Sequence, residues 1–348
     1  MTKVRTAVAG AGLIGLRHIE EIKKSRSARL ASIVDVSPKA AEVAKQSGVP
    51  LYGSLAELFA KDKPDGVILA TPNQLHAAQG LECVAARVPA LVEKPVADNL
   101  QDGVKLCEAA EGAGVKLLVG HHRRHSPILQ KAVETVKSGI LGQLVGVIGS
   151  AVFYKPDNYF DEAPWRREPG GGPILINMIH EIDNLRALVG EIVAVQAFAS
   201  NATRGFMVED TVAINLRFAN GALGTFLLSD TAGSPKSWEQ TSQENKAYPT
   251  YEDEDAYTII GASGSLGVPT MRLKFYEKKK DRSWYTPFKT RREPLQREDP
   301  LALQIEHFAA VIRGDLEPVV TCRDGLQNLR VTDAIVRAAQ TGQVVATA

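Results

Sequence analysis

Residues 4–15 read VRTAVAGAGLIG, an apolar run closed by Gly10-Ala11-Gly12-Leu13-Ile14-Gly15, and a helical pattern follows from Leu13 to Lys24. A strand that feeds a helix through G-x-G-x-x-G is the turn that cradles a dinucleotide pyrophosphate. The first glycine permits the tight turn, the second lets backbone N–H groups approach the phosphates, and the third lets helix pack closely on strand. The helix N-terminus, headed by Leu13 and Ile14, adds a partial positive charge. About twenty residues on, the apolar run Leu30–Val34 ends at Asp35, where this fold needs an acceptor for the ribose hydroxyls. Strand, glycine turn, helix, strand and acid arrive in order, which predicts a dinucleotide-binding βαβ unit. A carboxylate at 35 repels a 2′-phosphate and no arginine follows closely, so NAD is expected over NADP; Lys39 works against that preference.

The chain of 348 residues suggests two domains, and its 44% hydrophobic content suffices for two cores. Forty-one basic and forty acidic residues leave a net charge of +1, so no overall field favours nucleic acid or an anionic membrane as a partner. Cys83, Cys107 and Cys322 are odd in number and widely spaced, fitting neither a disulfide framework nor a zinc motif. A reducing, cytoplasmic setting is the corresponding expectation. The apolar stretch after Lys3 and Arg5 is the glycine-punctuated strand rather than a signal sequence, and no other segment has the run of about 18 apolar residues that a membrane span needs.

Between Val4 and about Val119, short runs at Leu30–Val34, Gly66–Ala70, Ala90–Val92 and Leu117–Val119 alternate with helical stretches, which predicts a doubly wound parallel sheet. After Arg124 come a helix over Pro127–Ser138 and β-rich runs at Leu144–Tyr154, Ile192–Asn201, Thr211–Phe218 and Ala222–Ser229. The Asn220-Gly221 turn signals a hairpin within a large, mainly antiparallel open sheet. The fold class is thus α/β, with a Rossmann domain over 1–122 and a second α/β domain over 123–348, whose closing helical patterns at Leu301–Arg313 and Asp324–Thr341 are expected to pack back on the body. Gly233–Asp255 is polar and aperiodic, as expected of a long loop that could serve as a lid.

Three clusters could carry chemistry. Glu93-Lys94-Pro95 follows a strand of the parallel sheet and so lies at its carboxyl end, the ligand-binding edge of such folds; Lys94 could donate to a substrate oxygen, and Pro95 could fix the turn in cis. Gly170-Gly171-Gly172-Pro173 opens a helix on which Leu175, Ile176, Ile179 and Ile182 form an apolar stripe, while Asn177, His180 and Asn184 line another face beside Asp183. His180 is then placed for proton transfer. Read singly, the tripeptide is also a common surface sequence, and the helix face is also the wet side of any amphipathic helix. In His121-His122-Arg123-Arg124-His125, two arginines and no nearby carboxylate argue against a metal and for an anion or polar ligand. Trp165-Arg166-Arg167 adds guanidinium groups suited to bidentate contacts.

With Thr71-Pro72-Asn73-Gln74-Leu75-His76, Gly120 to Pro127 and Asp324-Gly325-Leu326 also in register, the chain resembles the glucose-fructose oxidoreductase and inositol dehydrogenase (Gfo/Idh/MocA) family over nearly its full length. The resemblance implies an NAD-dependent dehydrogenase that transfers a hydride between nicotinamide and a secondary alcohol of a sugar, inositol or related cyclic diol. It implies homodimers or homotetramers built by packing the large sheets face to face. Lys94 would contact the substrate oxygen and His180 would act as acid–base. Thr71, Pro72, Asn73, His76 and Glu93 would border the nicotinamide, joined by Arg166 from the second domain; Arg123, Tyr154, Trp165, Arg166 and Asn177 are the candidate substrate contacts. One departure stands out: many members carry an aspartate four residues before the histidine, where this chain has Ile176, with Asn177 next to it. Asparagine orients a hydroxyl but holds no proton. Other readings are glycosidic bond cleavage through transient NAD oxidation, oxidation of a carboxylated cyclic diol, and a non-catalytic NAD-dependent sensor.

Overall fold

The computed structural model describes residues 2–347, and the chain forms two compact units. One holds the chain up to His125 together with Asp299–Leu329; the other holds Ser126–Glu298 and the residues from Arg330 onward.

The first unit alternates β1 (Val4–Ala9), α1 (Leu13–Lys24), β2 (Ala28–Val34), α2 (Pro38–Ser47), β3 (Leu51–Tyr52), α3 (Leu55–Lys61), β4 (Gly66–Leu69), α4 (Asn73–Ala85), β5 (Ala90–Val92), α5 (Leu100–Ala113) and β6 (Leu117–Val119). Its six strands are all parallel, in the order β3-β2-β1-β4-β5-β6. The order reverses between β1 and β4, so the loops after these two strands flank the crevice where such sheets bind ligands. Because successive strand residues face opposite sides, Val8 joins Ile19 and Ile22 of α1 in one core, while Ala7 and Ala9 join Leu58, Leu106 and Cys107 in the other.

The segment 299–329 belongs to this unit, not to the second domain as the sequence suggested. Ile305 and Phe308 of a helix over Pro300–Arg313 complete the core around α1, and a Cβ at Gly66 would collide with Ile312 of the same helix. The junction falls at His125/Ser126, where a 3₁₀ turn over His122–His125 precedes Ser126, whose Oγ caps the next helix. The cysteine reading also needs correction. Cys107 of α5 and Cys322 form a disulfide across 215 residues of sequence, leaving Cys83 buried and reduced, so cysteine usage no longer argues for a reducing compartment. Among the described residues no helix is long and apolar enough to cross a membrane.

The second unit contains α6 (Pro127–Lys137), β7 (Leu144–Val152), α7 (Asp157–Asp161), α8 (Ile179–Leu188), β8 (Ile192–Ser200), β9 (Thr211–Phe218), β10 (Leu223–Ser229), α9 (Trp238–Thr241), β11 (Tyr257–Gly261), β12 (Gly264–Val268), β13 (Arg272–Phe275), β14 (Lys289–Arg292) and β15 (Val345–Ala346). The strands form one sheet in the order β14-β13-β12-β11-β7-β10-β9-β8-β15, antiparallel except for the β7–β10 pair. Sequence patterning missed β11 to β15, whose short runs are interrupted by glycine, proline and charge. Alternation sets the two faces: on β9, Val212, Ile214, Leu216 and Phe218 are buried under α6 and α8, whereas Ala213, Asn215 and Arg217 are exposed. Ile148, Phe198, Leu223 and Leu227 of neighbouring strands are exposed as well. Gly233–Asp255 is not a free excursion, because Trp238 is buried against Tyr257 and donates through Nε1 to Glu244 at 2.8 Å.

Candidate active site

At the glycine turn, Gly10 has φ +92°, and a Cβ there would lie 2.5 Å from the Ala70 carbonyl oxygen; one at Gly15 would collide with the Gly10 carbonyl. These two glycines are demanded by the fold itself. A Cβ at Gly12 would meet nothing within 4 Å, so this glycine leaves open space at the head of α1, where no side chain caps the backbone N–H groups. Asp35 reaches back to the same turn, accepting the Ala11 N–H at 2.7 Å and the Ser37 N–H at 2.6 Å. Partial burial works against its charge, but these backbone donors win and hold the carboxyl below its usual range. Open space at Gly12 beside a fixed carboxylate fits the diphosphate and ribose of NAD.

The turn after β4 and the one after β5 are tied together by His76. Its ring is buried, with Nδ1 2.7 Å from the Pro95 carbonyl and Nε2 2.9 Å from the Thr71 carbonyl. Thr71 also donates through Oγ1 to Gln79 at 2.6 Å, and Pro72 immediately precedes α4, which begins at Asn73. His76 therefore braces the two turns. Glu93 is likewise interior. It accepts from the fully buried His18 Nε2 at 2.8 Å and, through its other oxygen, from the Lys94 N–H at 3.2 Å, and a Cβ at Gly120 would press on its carboxylate. Burial alone would raise its pKa, yet the His18 ring, helped by Lys94, holds it down to about 2. The half-buried Lys94 thus leaves β5 on a turn braced from both sides, through a cis Lys94–Pro95 bond.

The histidine-rich stretch disperses. His121 Nε2 lies 3.1 Å from Asn328 Nδ2, and His125 packs on His307 with ring centroids 4.9 Å apart. Burial, then the Arg123 cation, pushes His122 down to about 3, so it is neutral near Glu93 and Lys94. Arg123, one of the candidate substrate contacts, is buried at 4% exposure.

In the second unit, Gly172 has no room for a Cβ because the Glu209 carboxylate occupies it, and that carboxylate accepts the Ile174 N–H at 2.9 Å. Burial raises the pKa of Glu209 against the pull of that N–H. From this anchor residues Ile174–Met178 wind as a π-helix before α8 begins. The wider turn changes the expected stripe: Ile174, Met178, Ile182 and Leu185 enter the core, while Leu175 and Ile176 are only half-buried. Asn184, expected on the open face, is fully buried and donates to the Tyr257 hydroxyl at 2.9 Å. Asp183 is buried too, whereas Asn177 and His180 remain half-buried.

Arg166 lies over the Tyr159 ring at 3.7 Å and donates to the Tyr159 carbonyl at 2.5 Å, beside the exposed Trp165. Arg167 pairs with Asp161. Tyr154 is exposed, with the Arg204 guanidinium 5.0 Å from its ring centre. Sequence reading missed Lys155, which donates to Asn177 Oδ1 at 2.8 Å and pairs with Asp230 at 3.4 Å. Burial pushes its ammonium down to about 8 against the attraction of Asp230. The parallel pairing of β7 with β10 makes this contact, because Tyr154 and Thr231 bridge just beyond the two strand ends.

Family comparisons agree with this architecture. The model described as oxidoreductase family, NAD-binding Rossmann fold, matches residues 4–121, and that described as oxidoreductase family, C-terminal alpha/beta domain, matches residues 133–347. The chain is 26% identical to 1,5-anhydro-D-fructose reductase of Ensifer adhaerens, covering 97% of each chain. It is also 26% identical to inositol 2-dehydrogenase of Rubrobacter xylanophilus, covering 98% of this chain and 92% of that one. Among solved structures, the WlbA dehydrogenase of Bordetella pertussis in complex with NADH and UDP-GlcNAcA superposes with a TM-score of 0.79 at 27% identity, covering 99% of both chains. With both halves of the chain matched, one carrying the glycine turn and the Lys94 loop and the other the His180 helix, the protein belongs to the Gfo/Idh/MocA family of NAD-binding oxidoreductases.

Proposed function

We propose that the protein is a dehydrogenase of a secondary alcohol on a sugar, inositol or related cyclic diol, preferring NAD to NADP. The observation that carries this reading is the pairing, within one unit, of an open Gly12 turn and fixed Asp35 with a lysine held at the ligand edge by Glu93, His18 and His76. When bound, NAD⁺ supplies the hydride acceptor. In this reading His180 serves as the acid–base that takes a hydroxyl proton, and the Lys94 ammonium serves as a donor that stabilises developing negative charge on a substrate oxygen. Ile176 can hold no proton, so His180 works without a carboxylate relay from that position. The names of relatives, a reductase of an anhydro-ketose and an inositol dehydrogenase, support this substrate class. The open sheet face bearing Ile148, Phe198, Leu223 and Leu227 supports a homo-oligomer, since a soluble monomer rarely leaves so many apolar side chains exposed on one sheet.

The test is NAD⁺ reduction across inositols, aldoses and sugar acids with matched variants. His180→Ala should lower kcat by about 10² to 10⁴ with little change in NAD affinity. Lys94→Met should lower it by about 10² or more, and Lys94→Arg should fail similarly because a planar fork does not replace a compact ammonium. Near-native turnover in Lys94→Arg, or a Lys94→Met protein that loses only NAD binding, would refute the assigned role.

A further inference from the structure

The Asn177 carboxamide has one acceptor and one donor end, and its neighbour decides which is turned outward. Lys155 carries three N–H donors and no acceptor, so the amide must point Oδ1 at it, as the 2.8 Å contact records. Lys155 is itself pinned. Its ammonium pairs with the buried Asp230 at 3.4 Å and lies 5.0 Å from the centre of the Tyr159 ring and 5.7 Å from that of Phe153. Asp230 is held in turn by Arg204 at 3.0 Å, and Glu239, Arg166 and the Glu209 carboxylate, which accepts the Ile174 N–H, also act on the Lys155 charge. The Asn177 carboxamide makes no other hydrogen bond among the described residues, and the residue is half-buried, so Nδ2 is what it offers outward, one turn before His180.

We infer that Lys155 is a positioning residue that fixes Asn177 as a hydrogen-bond donor beside His180, and that the substrate group docking there is an oxygen acceptor without a proton of its own, best a carboxylate. This rests on the reading of His180 as the acid–base of a sugar or polyol dehydrogenase, and it narrows the substrate to a sugar acid or a similarly carboxylated ring. The position four residues before His180, where a carboxylate would repel such a group, is the apolar Ile176. A carboxylate opposite an N–H donor and a nearby ammonium gains charge-assisted hydrogen bonds, whereas a hydroxyl at the same place gains a neutral one.

The experiment measures binding of D-glucuronate, its methyl ester, D-glucose and D-galacturonate to the wild type, Asn177→Asp and Lys155→Met by calorimetry, with and without NADH, after thermal melting has confirmed folding. The wild type should bind at least one acid tenfold or more tightly than glucose. An ester that binds like the acid marks the carbonyl as the recognised acceptor; one that binds like glucose marks the charge. Asn177→Asp keeps the contact to Lys155 but turns a carboxylate outward, so the acid-to-glucose ratio should fall at least tenfold. Lys155→Met frees the amide to rotate, and the ratio should fall there too. A wild type that binds glucose as well as either acid, no binding of either acid, or a ratio unchanged within twofold in Asn177→Asp overturns the inference. NAD⁺ reduction in the same samples separates the two claims: selective acid binding without hydride transfer rejects the dehydrogenase reading and keeps this one, while turnover of neutral sugars alone does the reverse.

Discussion

Replacing His18 with leucine removes the side-chain partner of a carboxylate that is nearly cut off from water. Glu93 is 5% exposed, and its pKa is pushed down to about 2 from an ordinary 4.5. That difference of about 2.5 pH units corresponds to about 3 kcal/mol of native-state stabilisation of the charged form. Breaking a buried pair by deleting one partner costs about 3–5 kcal/mol, so the two routes agree. Leucine has nearly the volume of histidine, which keeps the cavity contribution small. His18→Leu should therefore destabilise the protein at pH 7 by about 3 kcal/mol, read from urea unfolding followed by far-ultraviolet circular dichroism. Glu93→Gln in the same background should recover part of the loss, since an amide is far cheaper to bury than a charge. The sign of the pH dependence follows: because the folded pKa is depressed, the contribution is complete above about pH 4.5 and is lost as pH falls from there through about 2. His18→Leu should flatten that acid limb. A loss below about 1 kcal/mol, or no recovery with Glu93→Gln, would refute the reasoning.

Asp35 accepts the Ala11 and Ser37 N–H groups while presenting charge to the ribose, so wild-type protein should bind NAD at least tenfold more tightly than NADP, about 1.4 kcal/mol, and Asp35→Ala should narrow the gap. Fluorescence titration showing NADP equal or better in the wild type would count against the assignment. Phe198→Glu combined with Leu227→Glu places charges in one cross-strand row of the open sheet face, where Ala213 separates the two side chains, and should shift the sedimentation profile toward smaller species. An unchanged profile would locate the contact between copies elsewhere.

The nucleotide unit was legible because its signals are local. The G-x-G-x-x-G spacing is local even though Gly10 is also required by the Ala70 carbonyl just after β4, Gly15 is required by the Gly10 carbonyl, and Asp35 follows a strand whose apolar run announces it. Lys94 and His180 were singled out in the same way, each following a strand or glycine signal. What only the tertiary structure decided came from contacts distant in sequence. Residues 299–329 carry an ordinary amphipathic helix pattern, and nothing in its periodicity says that Phe308 fills the core around α1. Glu93 and His76 read as ligand-facing from their motifs, and only packing showed their polar atoms committed to His18, Thr71 and Pro95. A π-turn, invisible to a 3.6-residue period, moved the buried stripe from Leu175 and Ile176 to Ile174 and Met178. Lys155 meets Asn177 and Asp230 because β7 pairs in parallel with β10, and strand pairing depends on which surfaces cover each other in the folded chain, a relation that no window of residues contains.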